Sequence, residues 1–181
     1  KEHIQKVRQE VRKLDQVISD FLNFARPAPP VAELVEVETL VADAVFLLQP
    51  DMQRVGVTCH LDIAEGVRVF ADPEQVKRML FNLMKNAVQA MPDGGMLRVR
   101  ARPERNDVCI EVADNGPGIS EAVRAQLFEP FFTTREKGSG LGLAVVSQTV
   151  ADNGGHLELA SEEGKGAVFK VALPARAGRY S

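Results

Sequence analysis

The chain has 181 residues, of which 45% are hydrophobic and 26% are charged, and its formal net charge is −3. This composition is typical of a soluble globular protein, and so small a net charge gives no reason to expect a nucleic acid or a membrane surface as the ligand. No apolar stretch approaches the roughly 20 residues that span a bilayer. Because the chain begins with Lys1 and shows no signal peptide, we expect a cytoplasmic fragment of a longer protein, and a membrane anchor elsewhere in that protein stays open. Cys59 and Cys109 each lie in an apolar stretch, which predicts core thiols rather than a disulfide or a metal site.

The first 25 residues carry apolar side chains at alternating spacings of three and four. This pattern predicts a helix about 37 Å long with one apolar seam, and such a seam favours a helical bundle or a dimer. A helix lying on its own domain is the alternative. Arg26 is followed by "PAPP", which cannot continue a helix and predicts a stiff linker over residues 27–33. The seam consists of Ile4, Val7, Val11, Leu14, Ile18, Phe21 and Ala25.

Strand-like and helix-like stretches alternate over residues 34–174, and 175–181 is a tail. The strands are predicted at "LVEV", "VTCHLDI" and "VRVFAD", and in two hairpins, "MLRVRAR" with "VCIEVAD" and "HLELAS" with "AVFKVALP". Helices are predicted over 39–54, 73–91, 120–127 and 141–153, the second opened by Asp72 as N-cap and Pro73. The predicted fold class is α/β, an α+β two-layer sandwich whose mixed sheet carries helices on one face, preceded by the long N-terminal helix.

Helix 73–91 has a polar stripe opposite its apolar face. Asparagine is a poor helix former, so two asparagines within one stripe indicate a use. Their carbonyl oxygens can ligate Mg²⁺, and neighbouring amide and ammonium groups can face phosphate oxygens. An ordinary solvated helix face is the alternative. The stripe consists of Arg78, Asn82, Lys85, Asn86 and Gln89.

The segment "DNGPGIS" begins at Asp114, where an apolar strand ends. Side chains alternate along a strand, so Asp114 shares the inward side of Val108, Ile110 and Val112 and is expected to be partly buried. A buried carboxylate needs hydrogen-bond donors, and the exocyclic amine of adenine is one. Glycines at 116 and 118 let the backbone approach a ring closely. An aspartate that merely starts a turn is the alternative.

The segment "GSGLGL", residues 138–143, runs directly into a predicted helix. Glycine-rich backbone at a helix N-terminus can bind phosphate through its N–H groups, although a flexible hinge is the alternative. The preceding "FEPFFTTREK" mixes core-type aromatics, Phe128, Phe131 and Phe132, with hydroxyls and cations. We expect a lid pinned by its aromatic side chains over a charged ligand.

These motifs, in this order, resemble those of sensor histidine kinases of two-component systems. "NLMKNAVQA" resembles the N box, "DNGPGI" the G1 box, "FEPFFTT" the F box and "GSGLGL" the G2 box, while "EGKGAVFKVALP" resembles the closing hairpin. "FLNFARP" is similar to the end of the second dimerisation helix, and the short lid is most similar to the nitrogen-regulation type. The resemblance covers almost the whole chain and implies the Bergerat ATP-binding fold of the GHKL superfamily, shared with gyrase, mismatch-repair ATPases and heat-shock chaperones.

The resemblance also implies roles. Asn86 would hold the Mg²⁺ that bridges the phosphates, with Asn82 assisting, and Asp114 would accept a hydrogen bond from the adenine amine. ATP would donate its γ-phosphate to a histidine on a first dimerisation helix, for relay to a response-regulator aspartate, and residues 1–26 would form the second helix of that homodimeric bundle. The remaining residues implied to bind the cofactor are Lys85, Gln89, Gly116, Gly118, Ile119, Phe132, Thr133, Thr134, Lys137, Gly138, Ser139, Gly140, Leu141, Gly142 and Leu143.

Three departures from the family pattern stand out. The phosphoacceptor motif is missing, since His3 is followed by "IQKVR", so no catalytic histidine is assigned; His60 and His156 are interpreted as structural. Ala167 stands where relatives often have Thr or Ser near adenine, and Gln89 stands where many have Lys, leaving one less cation for phosphate.

Three other functions remain as alternatives. An ATP-hydrolysing GHKL enzyme would resemble this chain but would carry Glu in place of Asn82, because an amide cannot act as a general base. A serine kinase acting on an anti-sigma antagonist would not need the helix that ends in "FARP". A non-enzymatic nucleotide-binding regulator is the third, against which the intact Asn86, Asp114 and glycine loop argue.

Overall fold

The computed structural model describes residues 29–135 and 138–176. The predicted N-terminal helix, the start of the linker and Lys137 lie outside the described residues. The described elements are β1 (Glu33–Glu36), α1 (Val37–Val55), β2 (Val57–Ile63), β3 (Arg68–Ala71), α2 (Pro73–Ala90), β4 (Gly95–Glu104), β5 (Asp107–Asp114), α3 (Glu121–Arg124), α4 (Gly142–Asp152), β6 (His156–Ser161) and β7 (Ala167–Pro174). Each strand and helix predicted within 34–174 is therefore present, although α3 is shorter than predicted.

The main sheet has five strands in the order β2-β4-β5-β7-β6. Strands β2 and β4 are parallel, and the other neighbouring pairs are antiparallel, which confirms the predicted mixed sheet. Strands β1 and β3 instead form a separate two-stranded antiparallel sheet, in which Glu33 pairs with Ala71. The sequence pattern identified both as strands but carried no information about their partner, since alternation is a property of each strand alone.

The core lies between the inner face of the main sheet and the layer formed by α1, α2 and α4. On β5, the inward Val108, Ile110 and Val112 are all buried, as the alternating pattern predicts. The outer face carries ion pairs instead, with Glu111 accepting from Lys170 on β7 at 3.1 Å and lying 3.7 Å from Arg100 on β4. Among the described residues, the long helices α1, α2 and α4 therefore pack on one face of the main sheet, as predicted.

The start of α2 follows the predicted capping chemistry. Asp72 is the N-cap, its Oδ1 accepts from the backbone N–H of Gln75 at 3.0 Å, and proline occupies the first turn. These contacts define where α2 begins, directly after β3.

Cys59 and Cys109 are unpaired thiols on the sheet, and burial raises the pKa of both. Cys59 is half-buried and packs against the core, as predicted, whereas Cys109 is buried on the opposite face of β5 from Val108 and Ile110. Within residues 29–135 and 138–176, none of the helices combines the length and apolar character that crossing a bilayer requires.

Candidate functional site

A cavity of about 730 Å³ opens between α2, the turn after β5, the segment before α4 and the first turn of α4. Its volume falls within the range of about 300–1,000 Å³ that is usual for small-molecule and cofactor sites. Three parts of the chain that are far apart in the sequence, namely α2, the turn after β5, and the lid with the start of α4, thus meet around one space. Most of the predicted site residues line it, namely Asn82, Lys85, Asn86, Gln89, Asp114, Gly118, Ile119, Phe132, Thr133, Thr134, Gly138, Ser139, Gly140, Gly142 and Leu143.

Two of the predicted site residues, Gly116 and Leu141, do not line the cavity but support the segments that do. The backbone N–H of Gly116 donates to Asp114 Oδ1 at 2.9 Å. Leu141 is fully buried immediately before α4 and anchors the glycine-rich loop in the core. Lys137 lies outside the described residues, so its role in binding stays a prediction.

The polar stripe of α2 forms one wall of the cavity. Asn82 and Asn86 line it, and Asn82 Oδ1 lies 3.7 Å from the position that a Cβ on Gly142 would take, at the glycine-rich start of α4. The ammonium of Lys85 lies 5.5 Å from the centre of the Phe81 ring, a cation–π contact. Arg78, the first residue of the stripe, does not line the cavity.

The donor set of this wall suits a magnesium ion that is shared with phosphate. Asn82 and Asn86 supply neutral amide oxygens. Across the described parts of the chain, no group of three or more His, Cys, Asp or Glu side chains forms an all-protein metal cage. Mg²⁺ prefers oxygen ligands, keeps several waters and is commonly bound jointly by one or two protein groups and substrate phosphates. The residues present therefore fit a Mg-nucleotide.

Asp114 ends β5 at the opposite wall and is half-buried, as predicted from its place in the apolar row. Burial raises the pKa of its carboxyl above the ordinary value. Hydrogen bonds from the backbone N–H groups of Gly116 and Ala167, together with the positive charge of Arg135, act in the opposite direction. The carboxylate is therefore a strong acceptor in a poorly solvated place.

The turn after Asp114 is fixed against the hairpin formed by β6 and β7. Gly118 has φ +74° and its Cα lies against the backbone of Glu162, where a Cβ would collide with a carbonyl oxygen. The hydroxyl of Ser161 accepts from the N–H of Ile119 at 2.9 Å and donates to the carbonyl of Gly166 at 2.7 Å. The backbone beside Asp114 is thus held open towards the cavity.

The aromatic side chains of the predicted lid have three different environments. Phe128 packs edge-on against Phe169 of β7, with 6.5 Å between ring centres, and Phe132 lines the cavity. The prediction that all three pin the lid is wrong for Phe131, whose side chain is 59% exposed. The reason is its backbone: φ is +67°, and its N–H donates to the carbonyl of Gly140 at 3.0 Å, which turns the side chain outwards.

Arg135 joins the lid to α2. Its Nη1 donates to Asn86 Oδ1 at 3.2 Å and to Gln89 Oε1 at 2.5 Å, and its Nη2 donates to the backbone carbonyl of Asn86 at 3.1 Å. The sequence marked Arg135 as a polar residue of the lid but assigned it no role in binding. Its position between the Thr-Thr pair and the glycine loop was the available sign that it faces the same ligand.

Several further residues that line or support this region were not predicted from the sequence, whereas Ala167 was placed near adenine by the resemblance. Glu163 and Phe169 line the cavity from the closing hairpin, Ala167 lines it beside Asp114, and Ser161 fixes the turn described above. The period-two pattern of β7 could have revealed Ala167 and Phe169, since both lie on its inward face. The backbone N–H of Ala167 donates to the carboxylate of Asp114, whereas the hydroxyl that Thr or Ser would carry at this position is lacking.

Residues 71–177 match the family of histidine kinase-, DNA gyrase B-, and HSP90-like ATPases. This chain belongs to that ATPase family. Among curated relatives, it is 34% identical over 169 residues to sporulation kinase E of Bacillus subtilis, covering 92% of this chain and 23% of the relative. It is likewise 34% identical over 166 residues to the sensor histidine kinase ZraS of Escherichia coli, covering 91% of this chain and 36% of the relative. The chain therefore spans only about a quarter to a third of these relatives.

Solved structures of the ATPase family share the fold. The catalytic domain of the histidine kinase ThkA superposes with a TM-score of 0.74 at 27% identity, covering 80% of this chain and 95% of that domain. Full-length ShkA in complex with AMPPNP superposes with a TM-score of 0.86 at 28% identity, covering 98% of this chain and 39% of ShkA. The predicted family and fold are confirmed, and the nitrogen-regulation subtype stays a prediction.

Proposed function

We propose that this chain is the ATP-binding catalytic part of a sensor histidine kinase. The observation that carries the proposal is the shared cavity, which brings the asparagines of α2, the carboxylate of Asp114 and the glycine-rich start of α4 to one space. These groups suit the three parts of a Mg-nucleotide: the metal, the base and the phosphates. The similarity to sensor histidine kinases and to an AMPPNP-bound kinase structure supports the same assignment.

The adenine end lies at Asp114. A half-buried carboxylate is a strong acceptor, and the exocyclic amine of adenine supplies the matching donor. The backbone held open at Gly118 leaves room for the flat face of the ring, and Phe169 and Ile119 offer apolar contact.

The phosphate end lies between α2 and the start of α4. Asn86, assisted by Asn82, would hold Mg²⁺, which neutralises phosphate charge and orients the terminal phosphate when bound. The backbone N–H groups of Gly140 and Gly142, at the start of α4, would donate to phosphate oxygens. Thr133, Thr134 and Ser139 add hydroxyls along the lid side of the same space.

The chemistry needs little from this domain beyond positioning and charge neutralisation. A histidine imidazole nitrogen attacks the γ-phosphorus, the bond to the bridging oxygen breaks, and ADP leaves. Hydrolysis would need a general base at the phosphate end, where Asn82 has only an amide. The acids that line the cavity in the described part of the chain, Asp114 and Glu163, lie at the Gly118 side instead.

The partners follow from the same assignment. Residues 1–26 would form the second helix of a dimerisation hairpin and 27–33 the linker, so the longer protein would be a homodimer. The phosphorylated histidine would pass its phosphoryl group to the receiver domain of a response regulator. This chain itself would act in the cytoplasm, with no nucleic acid as partner and no membrane contact of its own.

Labelled ATP and a separate histidine-bearing helical hairpin from a sensor histidine kinase test the proposal. We expect this chain to bind Mg-ATP and to transfer no stable label to itself, because the phosphoacceptor motif is not in its sequence. Added hairpin should become labelled as acid-labile phosphohistidine. Replacing Asn86 with Ala should abolish that label.

Two results would contradict the proposal. Rapid phosphate release without any acceptor would favour the hydrolysing relatives. A stable phosphohistidine on this chain alone would show that one of its own histidines is the acceptor. A chain with Asn106→Ala, a change in the turn between β4 and β5 away from the cavity, serves as the matched control and should label the hairpin normally.

A further inference from the structure

Arg78 is a cation of α2 that the proposed function leaves unused. It begins the polar stripe of the helix but does not line the cavity. Its side chain is only partly exposed, and its Nε is buried without a hydrogen-bond partner among the described residues. A buried N–H without an acceptor costs free energy, because its hydrogen bonds to water are lost and not replaced. The guanidinium therefore needs an acceptor that the described residues do not supply.

The nearest acid along the helix is already bound to another cation. Glu74 lies four residues before Arg78, a spacing at which ion pairs form on a helix. Its carboxylate instead accepts from the ammonium of Lys77 at 2.7 Å, and that ammonium also lies 3.6 Å from Asp43 on α1. Two carboxylates thus offset the charge of Lys77, whereas none of the described acids forms an ion pair with Arg78.

Arg78 lies where α2 packs against α4. The two helices are antiparallel, because Gln75 near the start of α2 accepts from Asn153 at the end of α4, while Asn82 faces Gly142 at the start of α4. Arg78 lies between these two contacts on nearly the same side of the helix, one turn or about 6 Å before Asn82. Its charge is therefore next to the phosphate end of the cavity.

The direction of α2 decides what approaches at this place. The end of the helix borders the base site, since the carbonyl oxygen of Ala90 lies 3.3 Å from the position that a Cβ on Gly116 would take. Asn86 and Asn82 follow towards the start of the helix, at the phosphate end, and Arg78 comes next. The attacking atom and the leaving oxygen are roughly in line at the γ-phosphorus, so the histidine arrives from the side of Arg78.

We propose that Arg78 binds a carboxylate on the helical hairpin that carries the phosphoacceptor histidine, and so positions that hairpin at the phosphate end of the cavity. The inference rests on the proposed function and adds to it a contact with the acceptor. A carboxylate suits a planar guanidinium, which can donate two parallel N–H bonds to it. Because one turn separates Arg78 from Asn82, the partner acid lies about one helical turn from the histidine.

Labelling of the separate hairpin at increasing hairpin concentration tests the role of Arg78. We expect Arg78→Gln to raise the KM for the hairpin about tenfold, since a charge-assisted contact is lost. The kcat and the affinity for Mg-ATP should change by less than about threefold, because Arg78 touches neither the nucleotide nor the imidazole. Arg78→Lys should give an intermediate KM, because the charge remains but the planar fork is lost.

Arg98→Gln is the matched control. It removes the same charge from the exposed outer face of the sheet and should leave the KM for the hairpin unchanged. An equal rise in KM for this variant would show that the net charge of the chain, and not a contact at position 78, attracts the hairpin.

Amide substitutions in the hairpin identify the partner acid. Each Asp or Glu within about two turns of the histidine is replaced in turn by Asn or Gln. One of these changes should raise the KM with the unchanged chain but cause no further rise with Arg78→Gln, because both remove the same ion pair. Additive effects for every acid would overturn the contact.

Urea unfolding distinguishes this role from support of the fold. Arg78→Met removes the buried N–H that lacks an acceptor and keeps an unbranched side chain, so the urea midpoint of the chain alone should not fall. A clear fall in the midpoint would show that the arginine stabilises the domain itself, against the inference.

The outcomes separate the two proposals. If the unchanged chain labels the hairpin and Arg78→Gln leaves the KM for the hairpin unchanged, the inference is overturned while the proposed function stands. A loss of ATP affinity as large as the rise in KM would assign Arg78 to the nucleotide and would also overturn it. An unchanged chain that binds Mg-ATP but labels no hairpin would overturn the proposed function itself.

Discussion

Asn153, at the end of α4, accepts a hydrogen bond from the backbone N–H of Asp72, the N-cap of α2, through its side-chain oxygen at 2.8 Å. Its side-chain nitrogen donates to Gln75 Oε1 and to the carbonyl of Thr149, both at 2.9 Å. The carboxylate of Asp72 in turn accepts from the N–H of Val31, where the described chain enters from the linker. One fully buried amide thus ties together the two helices whose opposite ends form the phosphate side of the cavity.

Replacing Asn153 with Leu is expected to lower the free energy of unfolding by about 2–3 kcal/mol, because buried polar groups on α2 and α4 lose a hydrogen-bond partner. Urea unfolding measures the change. Gln148→Ala, on the exposed side of the same helix, is the control and should stay within about 0.5 kcal/mol of the unchanged chain. Equal losses in the two variants would show that the buried amide is not what holds the helices.

Replacing Asp114 with Asn is expected to raise the stability of the fold and to weaken the binding of adenosine. Burial raises the pKa of Asp114 from its ordinary 3.8, so the folded state favours the protonated carboxyl. The contribution of this group to stability is therefore present below its unfolded-state pKa and is lost as the pH rises through its folded-state pKa. Asn does not titrate, so the variant should gain stability relative to the unchanged chain as the pH rises above the ordinary carboxyl pKa.

Urea unfolding at several pH values and calorimetry with adenosine measure both effects of that change. Adenosine binding should weaken, because the amide is a poorer acceptor for the adenine amine than the carboxylate is. A stability difference between the two chains that does not vary with pH would contradict the burial of this charge. An unchanged affinity for adenosine would show that Asp114 does not bind the base.

Replacing Gly118 with Ala is expected to destabilise the turn after β5 more than the same change at Gly164. Both glycines have positive φ, +74° and +80°, so both variants carry the cost of a side chain in that region, about 1–2 kcal/mol. Only at Gly118 does the new Cβ also meet the backbone of Glu162, whereas the space beside Gly164 is open. We expect an additional loss of about 1–3 kcal/mol from this overpacking.

Thermal or urea unfolding gives the difference in stability between the two alanine variants. Because both carry the cost of a positive φ, this difference measures the collision between the new Cβ at position 118 and the backbone of Glu162. The Gly118 variant should also bind adenosine more weakly, since the shifted backbone borders the cavity. Equal stabilities would mean that the turn and the closing hairpin can separate without cost, against the contact through Ser161.

Replacing Asn86 with Ala is expected to reduce the dependence of ATP binding on magnesium. The amide oxygen that the substitution removes is the proposed metal ligand, so the gain in ATP affinity on adding Mg²⁺ should fall by about tenfold, or about 1.4 kcal/mol. Calorimetry with and without a chelator measures the gain, and adenosine binding serves as the internal control. An undiminished magnesium effect would place the metal elsewhere.

The local elements of this fold could be predicted because their determinants are local. Helix α2 is specified by the proline after its N-cap and by apolar residues at helical spacing, and the structure has it at Pro73–Ala90. Strand β5 alternates inward apolar residues with outward polar ones, and this alternation also predicted that Asp114 would be half-buried. The order of the motifs, resembling those of the kinase family, predicted the site as a whole.

The environment of individual lid residues could not be predicted in the same way. Phe131 is a large apolar residue of the kind that is usually found in a core. Its positive φ and the hydrogen bond from its N–H to the carbonyl of Gly140 instead direct its side chain to solvent. The separate sheet of β1 and β3 likewise depends on which strands pair with each other. The alternation of side chains within one strand carries no information about its partner.

The sequence by itself determined where the helices and strands lie and which faces they bury, because each of these depends on neighbours within a few positions. The candidate nucleotide-binding residues came instead from the order of the motifs and their resemblance to the kinase family. Only the tertiary structure decided that the guanidinium of Arg135 lies on Asn86 and Gln89, a contact across 46 residues for the glutamine. Such a contact depends on the distance between α2 and the lid, which the packing of the domain sets, so its determinants lie far apart in the sequence.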